Sequence, residues 1–373
     1  METPREITVL QAAIIVVSSI IGVGILALPR LAVLSADTVA PLVTLLGTVI
    51  ALMGLIMVTL LGMRFPKHSI IRYSEFIIGA WLGRIGSASI ICFFAVLTAL
   101  TAREFGEVVV TAVLQRTPLE VTVIVMLLLA AFTTRNDITT FAYIHHFYSP
   151  IILGPAILIV VLSLKNAEVV RLLPVWGTEP ARMLMGMLTV AALFQGFFII
   201  TMVIPAMRRP QKAMLASLWG ISISGVLYLM IVVATLAVFG AEELKLLLWP
   251  TLELAKTTSL PAAILERLDA AFLAVWVTAV FTTLLSSYFL TIQATSELFR
   301  LRNHRMFSFF ALPFIFVIAM VPSNDLQMYQ WIETVGRIGL FITIGYPSVL
   351  WAIAWIRNKR GDQLASQSMG QKR

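Results

Sequence analysis

The sequence predicts an all-α polytopic membrane protein, and three observations support this class. Hydrophobic residues make up 59% of the chain and charged residues 12%, whereas a soluble domain carries about a quarter charged residues. Apolar runs of about 18 residues or more, long enough to cross a bilayer as a helix, recur from end to end. The net charge of +8 is concentrated at the ends of these runs, which indicates membrane topology rather than a nucleic-acid partner.

The apolar runs predict ten spans in a single transmembrane domain of residues 1–360, followed by a polar tail at 361–373. Seventeen basic residues fall on the side of the two termini and seven on the opposite side. Because basic loops stay in the cytoplasm, we expect both termini to be cytoplasmic. The predicted spans are residues 9–34, 40–63, 85–114, 121–134, 141–164, 187–206, 215–239, 268–298, 307–321 and 335–355.

Shorter features lie between the spans. Residues 70–78 are amphipathic and predict a helix along the inner interface. Residues 251–258 predict a short helix over an outer vestibule. Trp176 and Trp249 each stand near a proline at the end of a span, where tryptophan is typical of an interfacial anchor.

Two spans in corresponding halves of the chain are interrupted by glycine, the first at Gly22 and Gly24 and the sixth at Gly196. A helix that breaks inside a bilayer leaves backbone groups unpaired, and such breaks are tolerated where they line an enclosed cavity. In secondary transporters, a matched pair of broken helices forms the substrate site. The alternative is that these glycines only allow helices to pack closely. The pairing and the half-chain spacing favour a ligand site.

The sequence shows no metalloprotease, P-loop, dithiol or serine-hydrolase motif, so we expect no enzymatic activity, cofactor or metal. His145 and His146 are adjacent and do not share a helix face. They predict packing near the inner end of the fifth span, with a proton relay as the alternative. Arg103 and Glu104 favour the outer end of the third span, with an intramembrane charge pair as the alternative.

Several stretches carry a family resemblance. The run IGVGILALP at 21–29 resembles the first-helix signature of the amino acid–polyamine–organocation superfamily. From about residue 8 to residue 360, the chain resembles the B subunit of bacterial spore nutrient-germinant receptors, the GerAB type. The stretches that carry this match are LLPVWG at 172–177, VFGAEEL at 238–244, WPTLEL at 249–254 and LERLDAAFLAVW at 265–276.

The resemblance implies a LeuT-like fold, with spans one to five and six to ten as inverted repeats over about residues 8–165 and 187–356. It implies a nutrient-sensing subunit that binds a small molecule, an amino acid, and works with A-type and C-type receptor subunits in the spore inner membrane. The alternative is a proton- or sodium-coupled amino-acid transporter on the same fold.

The resemblance further implies a pocket between spans one, three, six and eight. Backbone N–H groups at the first break suit a ligand carboxylate, and Gln195 is predicted to help choose the ligand, with an internal helix cap as its alternative role. Carried over by position, the ligand-binding residues are Gly22, Gly24, Phe93, Leu97, Phe194, Gln195, Gly196, Thr282 and Thr283.

Three further positions bear on this expectation. Many relatives carry glutamate two residues after the glycine of the sixth span, where this chain has Phe198, so this segment has no acid for a ligand ammonium group. Ser286 and Ser287 of the eighth span could contribute to a sodium site, although serine in a membrane helix more often bonds to its own backbone.

Overall fold

The computed structural model describes residues 6–177, 179–257, 268–301 and 303–361. Apart from one isolated β-bridge between Ile7 and Met207, the regular structure in these ranges is helical, so the predicted all-α class is confirmed there. The tail at 362–373 and residues 258–267, which include the start of the LERLDAAFLAVW stretch, lie outside the described residues. The helices are α1 Val9–Ile20, α2 Gly24–Ala36, α3 Ala40–Arg64, α4 Ile70–Ile78, α5 Ala80–Ala112, α6 Leu119–Thr133, α7 Ile138–Ser163, α8 Pro180–Ala192, α9 Ile200–Val203, α10 Ala213–Phe239, α11 Ala241–Leu246, α12 Pro250–Thr257, α13 Leu268–Leu298, α14 Arg305–Ala319, α15 Asp325–Leu340 and α16 Tyr346–Ile356.

Six helical segments of the described chain are apolar and long enough to cross a membrane, and a bent pair makes a seventh. One of the six joins α2 to α3 through a 3₁₀ turn at Asp37–Val39. The shorter helices α1, α6 and α14 are also apolar. The last segment begins at Asp325, earlier than the predicted residue 335, because polar side chains on α15 hide its helical pattern from a search for apolar runs.

Both glycine-marked spans are broken, as predicted. In the first, α1 ends at Ile20 and α2 begins at Gly24. In the second, α8 ends at Ala192 and a 3₁₀ segment, Gln195–Ile199, leads into α9. The two parts of this second span are bent by 44° relative to each other. The helix α1 packs against α10, α7 and α13, and it also contacts the 3₁₀ segment, so the two breaks meet in the core.

The predicted amphipathic helix is present as α4, which buries Ile70, Ile71, Tyr73 and Ile77 and packs against α5. The predicted short helix near residue 251 is present as α12. It packs on α2, where Thr251 Oγ1 donates a hydrogen bond to the Ile25 carbonyl at 2.7 Å. Both predicted helices are therefore present, while their positions at the inner interface and over an outer vestibule stay predictions.

The two tryptophans predicted as anchors differ. Trp176 is 75% exposed, whereas Trp249 is only 8% exposed. The indole Nε1 of Trp249 donates a hydrogen bond to Tyr329 Oη on α15 at 2.7 Å. The anchor prediction is therefore wrong for Trp249, because its N–H group finds a partner inside the protein.

Candidate ligand-binding site

The carbonyl groups at the end of α1 are satisfied by side chains from other helices. Tyr228 Oη on α10 donates to the Ile20 carbonyl at 2.8 Å. On α13, Thr283 Oγ1 donates to the carbonyls of Ser18 and Ile21 at 3.2 and 3.1 Å, and Thr282 Oγ1 also donates to the Ser18 carbonyl. The last carbonyls of a helix have no partner within the helix, so these hydroxyl groups stabilise the first break in an apolar core.

Replacing Tyr228 with phenylalanine is expected to lower the free energy of unfolding by about 1 kcal/mol, because the buried Ile20 carbonyl loses its donor. Chemical denaturation of the solubilised protein measures this difference. The matched control is Tyr143→Phe, which removes a hydroxyl from a side chain on α7 that is 61% exposed, and we expect it to change stability by less than about 0.5 kcal/mol. Equal stability of Tyr228→Phe and wild type would contradict this role.

The other side of the first break offers donors. No side chain caps α2, whose N-cap residue is Val23. The first N–H groups of a helix lack intrahelical partners and lie at the positive end of its dipole. Val23 and Gly24 line a cavity. This end of α2 can therefore bind an anionic group such as a carboxylate.

The second break approaches the first with backbone against backbone. A Cβ atom at Gly196 would lie 1.9 Å from the carbonyl oxygen of Ser19. Its neighbour Gln195 is buried, and its Nε2 donates to the Gly336 carbonyl of α15 at 2.7 Å. Its Oε1 has no hydrogen-bond partner in the described part of the chain. Gln195 therefore connects the break to α15 rather than capping its own helix.

Between the two breaks lies a cavity of about 90 Å³. This is small beside the roughly 300–1,000 Å³ pockets of drug-sized ligands, which limits its occupant to a small molecule. On α5, four lining residues recur every three or four positions and therefore share one helix face. The lining residues of the first break and α5 are Ser19, Ile20, Val23, Gly24, Leu31, Phe94, Leu97, Leu100, Thr101 and Glu104. Those of α8 with the second break, α13 and α15 are Thr189, Ala192, Leu193, Gln195, Gly196, Ile199, Thr283, Ser286, Ser287, Leu290, Tyr329, Ile332, Glu333, Val335 and Gly336.

Five of the predicted site residues line this cavity. They are Gly24, Leu97, Gln195, Gly196 and Thr283. They come from the first break, α5, the second break and α13, which are the elements that the resemblance implies. The helix α15 is an additional wall that the sequence did not indicate.

The other four predicted residues lie behind the cavity wall. Space for a side chain at Gly22 is blocked by Thr283, whose Oγ1 would lie 2.2 Å from a Cβ atom there. Phe93 packs edge-on against Phe94, and Phe194 packs against Tyr228, each pair with ring centroids 4.9 Å apart. Thr282 is occupied by backbone carbonyls. Ligand contact by these four residues stays a prediction.

The charged residues of α5 are placed differently from the sequence expectation. The helix continues to Ala112, so Arg103 and Glu104 are not at its end, and both are buried. Arg103 forms an ion pair at 2.6 Å with Glu107 rather than with Glu104. Glu104 lines the cavity, where Tyr329 Oη donates to its Oε1 at 3.3 Å. Glu104 is a cavity residue that the sequence did not indicate, although it follows Thr101 by three positions and Leu97 by seven on the same face of α5.

The histidines are also separated. His146 is exposed, whereas His145 is fully buried, with its Nδ1 2.5 Å from Ser18 Oγ and its Nε2 3.3 Å from Ser286 Oγ. Ser286 Oγ lies 2.7 Å from Ser19 Oγ, and both of these serines line the cavity. The expected position near the interface is therefore wrong for His145, which joins α7 to α1 and α13 in the core. The chain of hydroxyl groups leads from the cavity to its ring.

Comparison with known proteins identifies the family. A family model described as spore germination protein matches residues 6–328. The chain belongs to the spore germination protein family. It is 26% and 25% identical to the spore germination proteins YndE and B2 of Bacillus subtilis (strain 168), over 96% of this chain and 98% of each relative. Spore germination protein GerLB of Bacillus cereus is 26% identical over 88% of this chain and 90% of that protein.

Solved transporters share the fold. Mhp1, a nucleobase-cation-symport-1 family transporter in a closed conformation with bromovinylhydantoin bound, superposes with a TM-score of 0.63 at 15% identity, over 91% of this chain and 78% of that one. A substrate-bound, outward-open Na⁺-coupled sialic acid symporter superposes with a TM-score of 0.67 at 12% identity, over 93% of this chain and 78% of that one. At such identities the likeness shows the fold alone. This spore germination protein is thus an integral membrane protein with a LeuT-like transporter fold.

Proposed function

We propose that this spore germination protein senses a nutrient by binding a small molecule, an amino acid, in the cavity between its two helix breaks. The observation that carries the proposal is the position of that cavity, which adjoins both breaks at once. A ligand there contacts two half-helices, α2 and the 3₁₀ segment of the second span, together with α5, α13 and α15. A ligand that contacts all of these elements binds more tightly to one of their relative arrangements than to another. Binding can therefore shift the protein towards that arrangement, which is what a conformational signal requires.

The architecture we propose is ten spans arranged as two inverted repeats of five, over about residues 8–165 and 187–356, in one domain of residues 1–360. This number is reached when α1 and α2 are taken as the first span and α3 as the second, the bent pair is counted once, and the shorter apolar helices α6 and α14 are included. The excess of basic residues on the side of the termini supports cytoplasmic termini. Membership of the germination family supports the spore inner membrane as the location, and A-type and C-type receptor subunits as partners.

The residues have distinct proposed roles. The N–H groups at the start of α2 bind the ligand carboxylate, because this helix end is uncapped. Leu97 and Leu193 limit the size of the ligand side chain, since both line a small cavity. Gln195 connects the second break to α15 and Thr283 connects α13 to α1, so these two polar residues fix the positions of the cavity walls.

A second candidate function is transport of the same ligand coupled to protons. His145 favours it, because this titratable ring is connected to the cavity through Ser286 and Ser19. Sodium coupling has less support. Ser286 Oγ donates to the Thr282 carbonyl and Ser287 Oγ to the Leu284 carbonyl, which is the usual bonding of serine in a membrane helix and gives no specific indication of an ion.

The experiment that tests the proposed function is Gly24→Leu in spores that carry the variant receptor. A Cβ atom at Gly24 would lie 3.3 Å from Leu193 Cδ2, a contact that a small shift relieves, whereas the rest of a leucine side chain would occupy the cavity. We expect the nutrient concentration for half-maximal germination to rise by about 100-fold or more, which equals about 2.8 kcal/mol.

The matched control is Gly154→Leu on α7, where no atom lies within 4 Å of an added Cβ. This variant should germinate as wild type does. Immunoblots of the spore membranes give the amount of each protein. A normally accumulated Gly24→Leu variant with wild-type sensitivity would refute the ligand site.

A further inference from the structure

The cavity contains two acidic residues, Glu104 and Glu333, and no lysine, arginine or histidine among its described lining residues. The two acids differ in how they are paired. Glu333 forms an ion pair with Arg337, one turn further along α15. Glu104 has no such partner among the described residues, because the neighbouring guanidinium of Arg103 pairs with Glu107.

Glu104 is 3% exposed, and its hydrogen-bond partner within the described chain is the hydroxyl group of Tyr329 at 3.3 Å. Tyr329 Oη accepts from Trp249 Nε1 at 2.7 Å, so its single proton is free to point at the carboxylate. An ionised carboxylate has room for about four hydrogen bonds, and burying it with one neutral donor is costly. Tyr329 therefore holds the carboxyl group in place, and no cation of the described residues is paired with it.

Gln195, the polar residue of the second break that lines the cavity, is turned towards α15. Its Nε2 donates to the Gly336 carbonyl, and its buried Oε1 would lie 2.7 Å from a Cβ atom at Gly339, so Glu104 carries the argument. Thr101 lies one helical turn from Glu104 on the lining face of α5 and adds a hydroxyl group. Glu104 and Thr101 therefore present oxygen atoms on one face of the cavity, and a donor with positive charge suits them.

We propose that Glu104 binds the ammonium group of the ligand, so that the nutrient is a small primary amine rather than a sugar or a nucleoside. The inference rests on the proposed function, which names an amino acid, and assigns the residue that recognises the ammonium group. An ammonium group carries three N–H donors and one positive charge, which suits a carboxylate beside further oxygen acceptors. It also accounts for Phe198, since the acid absent from the sixth span is supplied here by α5. Among the described residues no group of three or more His, Cys, Asp or Glu side chains could hold a metal ion, so the site suits an organic cation better.

The test uses the full chain in lipid nanodiscs and follows its thermal unfolding with added ligands. The probes are glycine, L-alanine and L-valine, each paired with the α-hydroxy acid that replaces the amine by a hydroxyl group, namely glycolate, L-lactate and L-2-hydroxyisovalerate. We expect at least one amino acid to stabilise the protein, with an apparent affinity at least about tenfold higher than that of its hydroxy acid. Potassium chloride at the same concentrations tests a bare cation.

The variant is Glu104→Gln, which keeps the shape of the side chain and its bond to Tyr329 but removes the charge. We expect it to weaken amino-acid binding at least about tenfold and to leave hydroxy-acid binding unchanged, so that the preference for the amine is lost. Tyr329→Phe is a second variant that leaves the charge in place and should weaken amine binding about threefold. The control is Glu253→Gln, which removes an acid of α12 that does not line the cavity and should bind as wild type does.

Equal stabilisation by amino acids and hydroxy acids, with no effect of Glu104→Gln, would overturn the inference and leave the proposed pocket intact. Stabilisation by potassium chloride that depends on Glu104, or stabilisation by no amine at all, would overturn it as well. Failure of the proposed function is detected separately, since it requires that Gly24→Leu spores still respond to nutrient. A loss of both amino-acid and hydroxy-acid binding in equal measure would assign Glu104 a structural role and also contradict the inference.

Discussion

Replacing Gly196 with alanine is expected to destabilise the protein by about 3 kcal/mol, at the upper end of the cost of overpacking a core. The new Cβ atom would lie 1.9 Å from the Ser19 carbonyl oxygen and 2.6 Å from its carbon. These are backbone atoms of α1, and they cannot rotate away as a side chain can. Relief requires the two broken spans to move apart, which also opens the cavity between them.

Thermal unfolding and gel filtration of the solubilised variant measure this effect. The matched control is Gly154→Ala in α7, where an added Cβ meets no atom within 4 Å. There alanine is expected to stabilise the helix by up to about 1 kcal/mol, because glycine is the poorer helix former. If Gly196→Ala unfolds at the wild-type temperature, the two backbones are not in contact in the native protein.

Replacing Arg103 with methionine is expected to lower the free energy of unfolding by about 2–3 kcal/mol, less than breaking a fully buried pair costs, because it leaves the half-buried carboxylate of Glu107 without its cation. The side chains of Arg103 and Glu107 are 8% and 14% exposed, and their charged atoms lie 2.6 Å apart. A chemical denaturation series on wild type, the two single methionine variants and the double variant measures the coupling between them.

The double variant should recover part of the loss, since the carboxylate of Glu107 is removed together with its cation. The control is Arg84→Met, which breaks the more exposed pair with Glu75 at 3.2 Å and should cost less than about 1 kcal/mol. A double variant as unstable as Arg103→Met would show that Arg103 acts through contacts other than Glu107.

The helix breaks could be predicted from local sequence, because glycines interrupt two apolar runs at corresponding positions of the two halves, and matched breaks are typical of an enclosed site. The role of Glu104 could not. Within a span, an Arg-Glu pair has the pattern of a helix end, and only the continuation of α5 to Ala112 shows that both side chains are interior. The partner of Arg103 then had to be chosen between two acids, Glu104 and Glu107, on neighbouring turns of the same helix.

The contribution of α15 was equally hidden. Its residues Tyr329 and Gly336 follow the first break by more than half the chain, and they meet Glu104 and Gln195 through hydrogen bonds that no local pattern encodes. The environment of His145 was hidden as well. The sequence placed His145 and His146 together near the inner end of a span. Ser18 and Ser286, the neighbours of His145, come from α1 and α13, so its burial depends on how three helices pack.

The sequence by itself determined that the chain is an all-α membrane protein of the germination family with two interrupted spans, because partition into a bilayer and backbone breaks depend on residues close together in the chain. The tertiary structure alone decided which residues face the cavity and which stand behind it. Gly24 and Glu104 line the cavity, whereas Gly22 packs against Thr283 and Arg103 pairs with Glu107. The reason is physical: a buried polar group must find a partner, and close packing of distant helices decides which partner is within reach.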